Sequence, residues 1–184
     1  MRHPQLLSVE KTCLLVIDVQ ERLLPVIHNG DLVVKNIRRL VAGAEVLGLP
    51  VILSEQYPKG LGPTVEPVAE LMAGVQKCDK TAFSCIADQA LAEAIARTER
   101  DQLLLCGVES HVCVLQTALD SLAAGYSVHV AADAVSSRDP ENKKIAIERL
   151  RAAGCVITCT ESALFELLVK SGTGEFKKIS ALVK

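Results

Sequence analysis

Tryptophan is absent from this 184-residue chain, and only three phenylalanines and two tyrosines are present. So few rings cannot carry an interior built on aromatic contacts, so the core must be aliphatic. No apolar run approaches the roughly 20 residues of a membrane span, so no membrane partner is expected. The opening MRHPQLLSVEKT has too short an apolar stretch for a signal peptide, and Asp18 interrupts the next one. Neither sign of charge is in excess: 20 basic and 22 acidic residues give a net charge of −2, scattered along the chain. That leaves no basic stripe for nucleic acid and no polybasic patch. The seven cysteines are odd in number, and most lie inside apolar runs, where Cys packs as a small hydrophobe. A regular disulfide framework is missing, which predicts reduced thiols and a cytoplasmic location. Neither GxGxxG nor a P-loop occurs, and no repeat, linker or low-complexity segment interrupts the chain.

What is there is alternation. Apolar residues make up 49% of the chain. Strands are predicted at 12–17, 51–54, 75–78, 102–106, 127–131 and 155–159. Helices are predicted between them: from an Asp31 cap to about Leu47, from Asp88, over 110–124, from Asp139-Pro140 to Gly154, and over 161–170. The segment EQYPKGLGP reads as irregular loop, Gly107 as a strand breaker, and the tail as a short helix or arm. Continuous apolar strands between amphipathic helices predict one α/β domain over 1–184, with a parallel sheet covered on both faces. A chain this long buries roughly 70% of its unfolded surface, so it needs no disulfide or metal to fold.

Ligands of such sheets bind beyond the carboxyl ends of the strands. Cys113 follows a strand and a glycine in C-G-V-E-S-H-V-C. With Ser110 as N-cap it falls in the first turn of a helix, whose free N–H groups favour a thiolate. Position alone leaves a buried structural cysteine equally open. Asp18 ends the first strand, where partial desolvation suits a carboxylate to proton transfer, with a turn residue as the alternative. Lys80 follows the third strand, where a cation holds a thiolate and a carboxylate together; a solvated lysine is the alternative, and Lys77 is as good a candidate. Ser110 lacks the following glycine of a nucleophile elbow. His111 lies two residues from Cys113, so on a helix the two side chains point apart.

Three segments together are similar to the isochorismatase-like cysteine hydrolases, which include nicotinamidases and N-carbamoylsarcosine amidases. They are L-L-V-I-D-V-Q around Asp18, K-T-A-F-S around Lys80, and C-G-V-E-S-H-V-C-V-L-Q-T-A around Cys113. A-A-D-A-V-S-S-R extends the match, and E-Q-Y-P-K-G-L-G-P-T resembles the "isochorismatase domain-containing" branch. The resemblance implies a three-layer α/β/α fold with a six-stranded parallel sheet in Rossmann-like order. It implies Asp18 as general base, Lys80 as its lysine and Cys113 as nucleophile. It also implies a cis peptide at Val108-Glu109 and an oxyanion hole from the N–H groups of Glu109 and Cys113. The implied reaction is hydrolysis of a small amide, ureide or related C–N substrate, or an ester, through a thioester. A homo-oligomer, dimer or larger, is expected on the same ground. Gln20, Gln56, Tyr57 and Phe83 are candidate pocket residues.

Two departures bear on substrate. Nicotinamidases carry an aspartate-x-histidine metal motif after the second strand, where this chain reads Ser54-Glu55-Gln56-Tyr57-Pro58. No metal and no cofactor is therefore expected. Siderophore-pathway isochorismatases lack the cysteine that this chain has. Other classes remain: a non-catalytic binding or scaffold protein keeping the fold, or a redox-responsive thiol protein, for which Cys106 is the nearest partner in sequence. A nicotinamide dehydrogenase is weakest, for want of a glycine fingerprint.

Overall fold

The computed structural model describes residues 2–184. TCLLVI forms β1 (Thr12–Ile17), buried at every position, because a central parallel strand has helices on both faces. The other strands are β2 (Val51–Gln56), β3 (Gln76–Lys80), β4 (Gln102–Val108), β5 (Ser127–Ser136) and β6 (Val156–Thr158). All pair in parallel, in the order β3-β2-β1-β4-β5-β6. The longer helices are α1 (Gly30–Leu47), α4 (Gln89–Ala96), α5 (Leu115–Ala123), α6 (Pro140–Ala152), α7 (Thr160–Leu168) and α8 (Gly174–Val183). Two single turns, α2 (Pro58–Leu61) and α3 (Glu66–Ala69), lie between β2 and β3.

Period-two alternation splits the core. Leu14, Val16, Leu104 and Cys106 face α1, α7 and α8, together with Ile37, Leu40, Leu164 and Ile179. Cys13, Leu15, Ile17, Leu103 and Leu105 face the other layer, with Leu91, Ile95, Val114, Ala118 and Leu150. The result is three layers, α/β/α, as the alternation predicted. A Cβ on Gly43 of α1 would lie 2.3 Å from Leu164 Cδ2, so that glycine sets how closely α1 and α7 approach.

Several boundaries differ from expectation. Asp31 lies inside the first turn of α1, and Asn29 precedes the helix in a left-handed conformation. Gly48 does end α1 in the left-handed region. The breaker-rich segment is partly regular: Glu55 and Gln56 extend β2, and Pro58 opens α2. Gly107 does not break β4. Its φ is +117°, and a Cβ there would lie 2.0 Å from Ile17 O, so only glycine lets β4 pass the end of β1. Glu109, not Ser110, is the N-cap of the helix after β4, which begins as a π turn over Ser110–Val114. β5 runs on to Ser136, while Cys155 and Cys159 flank β6. α6 stops at Ala152, and α7 spans Thr160–Leu168. The tail forms α8, with Phe176 6.2 Å from Phe165 of α7.

Candidate active site

The carboxyl ends of β1, β2, β3 and β4 meet at one rim. Asp18 follows β1 with φ +52°, its N–H donating to Ser54 O at 3.1 Å. Ser54 lies opposite Ile17 in the ladder, and its hydroxyl donates to Asp18 Oδ1 at 2.7 Å. β2 runs two residues past Ser54, and its last residue, Gln56, pairs with Lys80. That overhang carries Lys80 above the carboxylate. Lys80 Nζ donates to Asp18 Oδ2 at 2.7 Å, with both side chains fully buried. Lys80 is thus the last residue of β3, where a residue beyond the strand had been expected. Burial by itself would lower the Lys80 ammonium, but the Asp18 carboxylate leads the opposing causes and its pKa is held above the usual lysine value.

Cys113 sits in the π turn, 6% exposed, with Sγ 4.0 Å from Gln56 Oε1. Burial pushes its thiol well up, and the negative charge of Asp18 pushes it further; Lys80 opposes both. Burial and Asp18 thus oppose the thiolate that the helix end was expected to favour. A carboxylate whose charge opposes ionisation of a nearby thiol is also a candidate to take its proton. Asp18, Lys80 and Cys113, 62 and 33 residues apart along the chain, thus come to one rim, Lys80 bonding Asp18 directly and reaching the sulfur through the shared Gln56 oxygen. Lys77, the rival cation, is half exposed and pairs with Glu55 at 3.2 Å.

The remaining candidates divide. Gln56 faces the site. Gln20 is fully buried, and its amide is engaged by backbone: Nε2 donates to Gln56 O (3.0 Å) and Gly62 O (2.7 Å), while Oε1 accepts from Gln56 N–H (2.8 Å). It orders the rim and has no donor left for a ligand. Phe83 offers its carbonyl to Lys80 Nζ at 3.2 Å, while its ring is half exposed. Tyr57 is also half exposed, in a left-handed conformation, with its N–H on Lys80 O.

The peptide bond between Val108 and Glu109 is cis. Glu109 O accepts from the N–H groups of Val112 (3.1 Å) and Val114 (3.2 Å), on either side of Cys113. The Glu109 carboxylate holds the N–H and Nε of Arg138. His111 Nδ1 bonds Ser137 Oγ at 2.9 Å, so it turns away from the thiol as its spacing predicted.

Sequence reasoning missed two neighbours. Ser54, a hydroxyl closing the apolar run Val51-Ile52-Leu53, carried a faint signal. Cys85 carried none: it is fully buried, its thiol is pushed up to about 11 by burial and by Asp18, and its N–H donates to Thr117 Oγ1, one turn below Cys113. Cys106 faces the opposite core layer. No three His, Cys, Asp or Glu side chains among the described residues are grouped to hold a metal ion. No described helix is long and apolar enough to cross a membrane.

Comparison with known proteins agrees with this fold. A family model described as the isochorismatase domain matches residues 12–162. Isochorismatase domain-containing protein 2 of Danio rerio is 38% identical over 177 residues, covering 96% of this chain and 89% of that protein. Isochorismatase domain-containing protein 1 of Danio rerio is 41% identical over 168 residues, covering 91% of this chain but 59% of that longer protein. A solved structure described as MAR1 ribonuclease from Caenorhabditis elegans superposes with a TM-score of 0.91 at 35% identity, covering 96% of this chain and 91% of that one. The family match begins at the first residue of β1 and ends inside α7, spanning every strand of the sheet and every residue of the rim, and by it this chain belongs to the isochorismatase family.

Proposed function

We propose that this protein is a cysteine hydrolase of small amides, ureides or related C–N substrates, with Cys113 as nucleophile. The observation that carries the reading is a buried Asp18–Lys80 ion pair at the strand ends, tied through Gln56 Oε1 to the buried sulfur of Cys113. The family supplies a hydrolase fold; the reaction follows from the chemistry of these groups.

Asp18 accepts the S–H proton as sulfur attacks the carbonyl carbon, forming a C–S bond. The carbonyl electron pair moves to oxygen, and the N–H groups of Glu109 and Cys113 stabilise it. Collapse expels the amine, which takes the proton from Asp18 and leaves a thioester. Water then gives a proton to Asp18 and attacks the thioester, and the departing sulfur recovers the proton. Lys80 stays paired with Asp18 and balances the charge that passes through the site. Ser54 fixes the carboxylate from its other oxygen.

The test is a panel of small amides, ureides and esters, with peptide mass spectrometry to locate any acyl adduct. An adduct on Cys113 is expected, and Cys113→Ala should lower turnover by about a thousandfold or more. Full activity of Cys113→Ala on an identified substrate would refute the reading. The Caenorhabditis elegans relative is described as a ribonuclease. RNA therefore belongs in the panel, and RNA cleavage that does not require Cys113 would also count against a thioester route.

A further inference from the structure

A lysine ammonium has three N–H groups, and here all three have acceptors. Asp18 Oδ2 lies at 2.7 Å, Gln56 Oε1 at 2.6 Å and Phe83 O at 3.2 Å. None is left for a thiolate, yet Sγ of Cys113 lies only 4.0 Å from the same Gln56 oxygen. The ammonium and the thiol thus converge on a single acceptor, the Gln56 carboxamide oxygen.

Gln56 is held in that position from several directions. Its Nε2 donates to Thr81 O at 2.8 Å, so turning the carboxamide breaks two hydrogen bonds at once. Only one orientation of the amide satisfies both the ammonium and the Thr81 carbonyl. Its backbone N–H and C=O are clamped by the side chain of Gln20. The titratable groups facing Sγ are Asp18 at the end of β1, Lys80 on β3 and Cys85 in the segment before α4. Glu109 is held by Arg138, and His111 by Ser137.

We infer that Gln56 is a positioning residue that holds back ionisation of Cys113, its carboxamide oxygen engaging a Lys80 N–H and facing the sulfur at the same time. The inference rests on Cys113 as the reacting group, but its test needs no turnover.

The experiment is the rate of Cys113 alkylation by iodoacetamide between pH 6 and 10, read by peptide mass spectrometry on the full chain. Cys85 serves as a reporter of loosening and half-exposed Cys159 as a reference remote from the site. Gln56→Met removes the acceptor at similar length. It should raise the Cys113 rate about tenfold or more at a given pH, the equivalent of one pKa unit, with Cys85 still protected. Gln56→Glu keeps the acceptor and adds a negative charge beside the sulfur, so it should lower the rate below that of the unaltered protein. A folded Gln56→Met protein with an unchanged rate overturns the inference, as does a rise accompanied by labelling of Cys85. If Gln56→Met does not fold, Gln56→Glu decides, and a rate equal to or above that of the unaltered protein overturns it. Failure of the hydrolase reading would appear separately, as a Cys113→Ala protein that still turns over substrate.

Discussion

At the scale of single residues, the site is dominated by one buried ion pair. Asp18 and Lys80 both have fully buried side chains, so each charge depends on the other for the solvation that water would give. Lys80→Met should therefore cost about 3–5 kcal/mol, measured by urea unfolding at neutral pH, because it strands a buried carboxylate. The double variant Asp18→Asn with Lys80→Met should recover much of that loss; a single variant as stable as the parent would contradict the buried pairing. These residues were legible beforehand because Asp18 follows a predicted strand and both Lys80 and Cys113 lie in rim segments. The protonation state was not. Helix position favoured a thiolate, but burial and the Asp18 carboxylate, which arrives from a different strand, oppose it. Lys77 and Lys80 were equivalent candidates for the same reason. Strand alternation and register leave one half exposed, paired with Glu55, and send the other to Asp18 inside.

At the scale of elements, the rim depends on how β4 passes β1. Gly107 pairs with Ile17 and leaves no room for a Cβ against the Ile17 backbone, the residue just before Asp18. Gly107→Ala should destabilise the protein by about 2–4 kcal/mol in equilibrium unfolding and slow Cys113 alkylation or turnover, since relieving the overlap moves Asp18. A Gly107→Ala protein of unchanged stability would mean that the two strands separate at little expense. The sequence suggested a break at this glycine because glycine is a poor strand former. In the folded sheet it is the residue that permits the closest approach. The extension of β2 through Glu55 and Gln56 was likewise obscured by the following Tyr57-Pro58, which reads as loop. Pairing with β3 holds those two residues in the ladder and brings Lys80 to the site.

At the scale of the whole molecule, one buried group sets an acid limit on folding. His129 of β5 is fully buried, both ring nitrogens lack partners, and burial lowers its pKa to about 4 from an unfolded value of 6.5. Below 6.5 the unfolded chain binds a proton that the folded protein refuses. Stability should therefore be full above about pH 6.5 and fall as pH drops toward 4, by up to about 3 kcal/mol from this group. The urea midpoint followed from pH 7.5 to 4 should show the decline, and His129→Leu should flatten it; an equal slope in both proteins would assign the effect elsewhere. The three-layer architecture, the order of its elements and the identity of the rim residues were written in local patterns: apolar runs of strand length, helical periodicity, and polar residues placed just after strands. Those signals depend on neighbours in the chain, which a sequence displays directly. Which lysine reaches the carboxylate, which cysteine lies below Cys113, how Gln56 and Gln20 lock together and whether the sulfur rests protonated depend on register between strands and on dielectric burial. Both are properties of residues far apart in the chain, and they exist only once the sheet has closed around them.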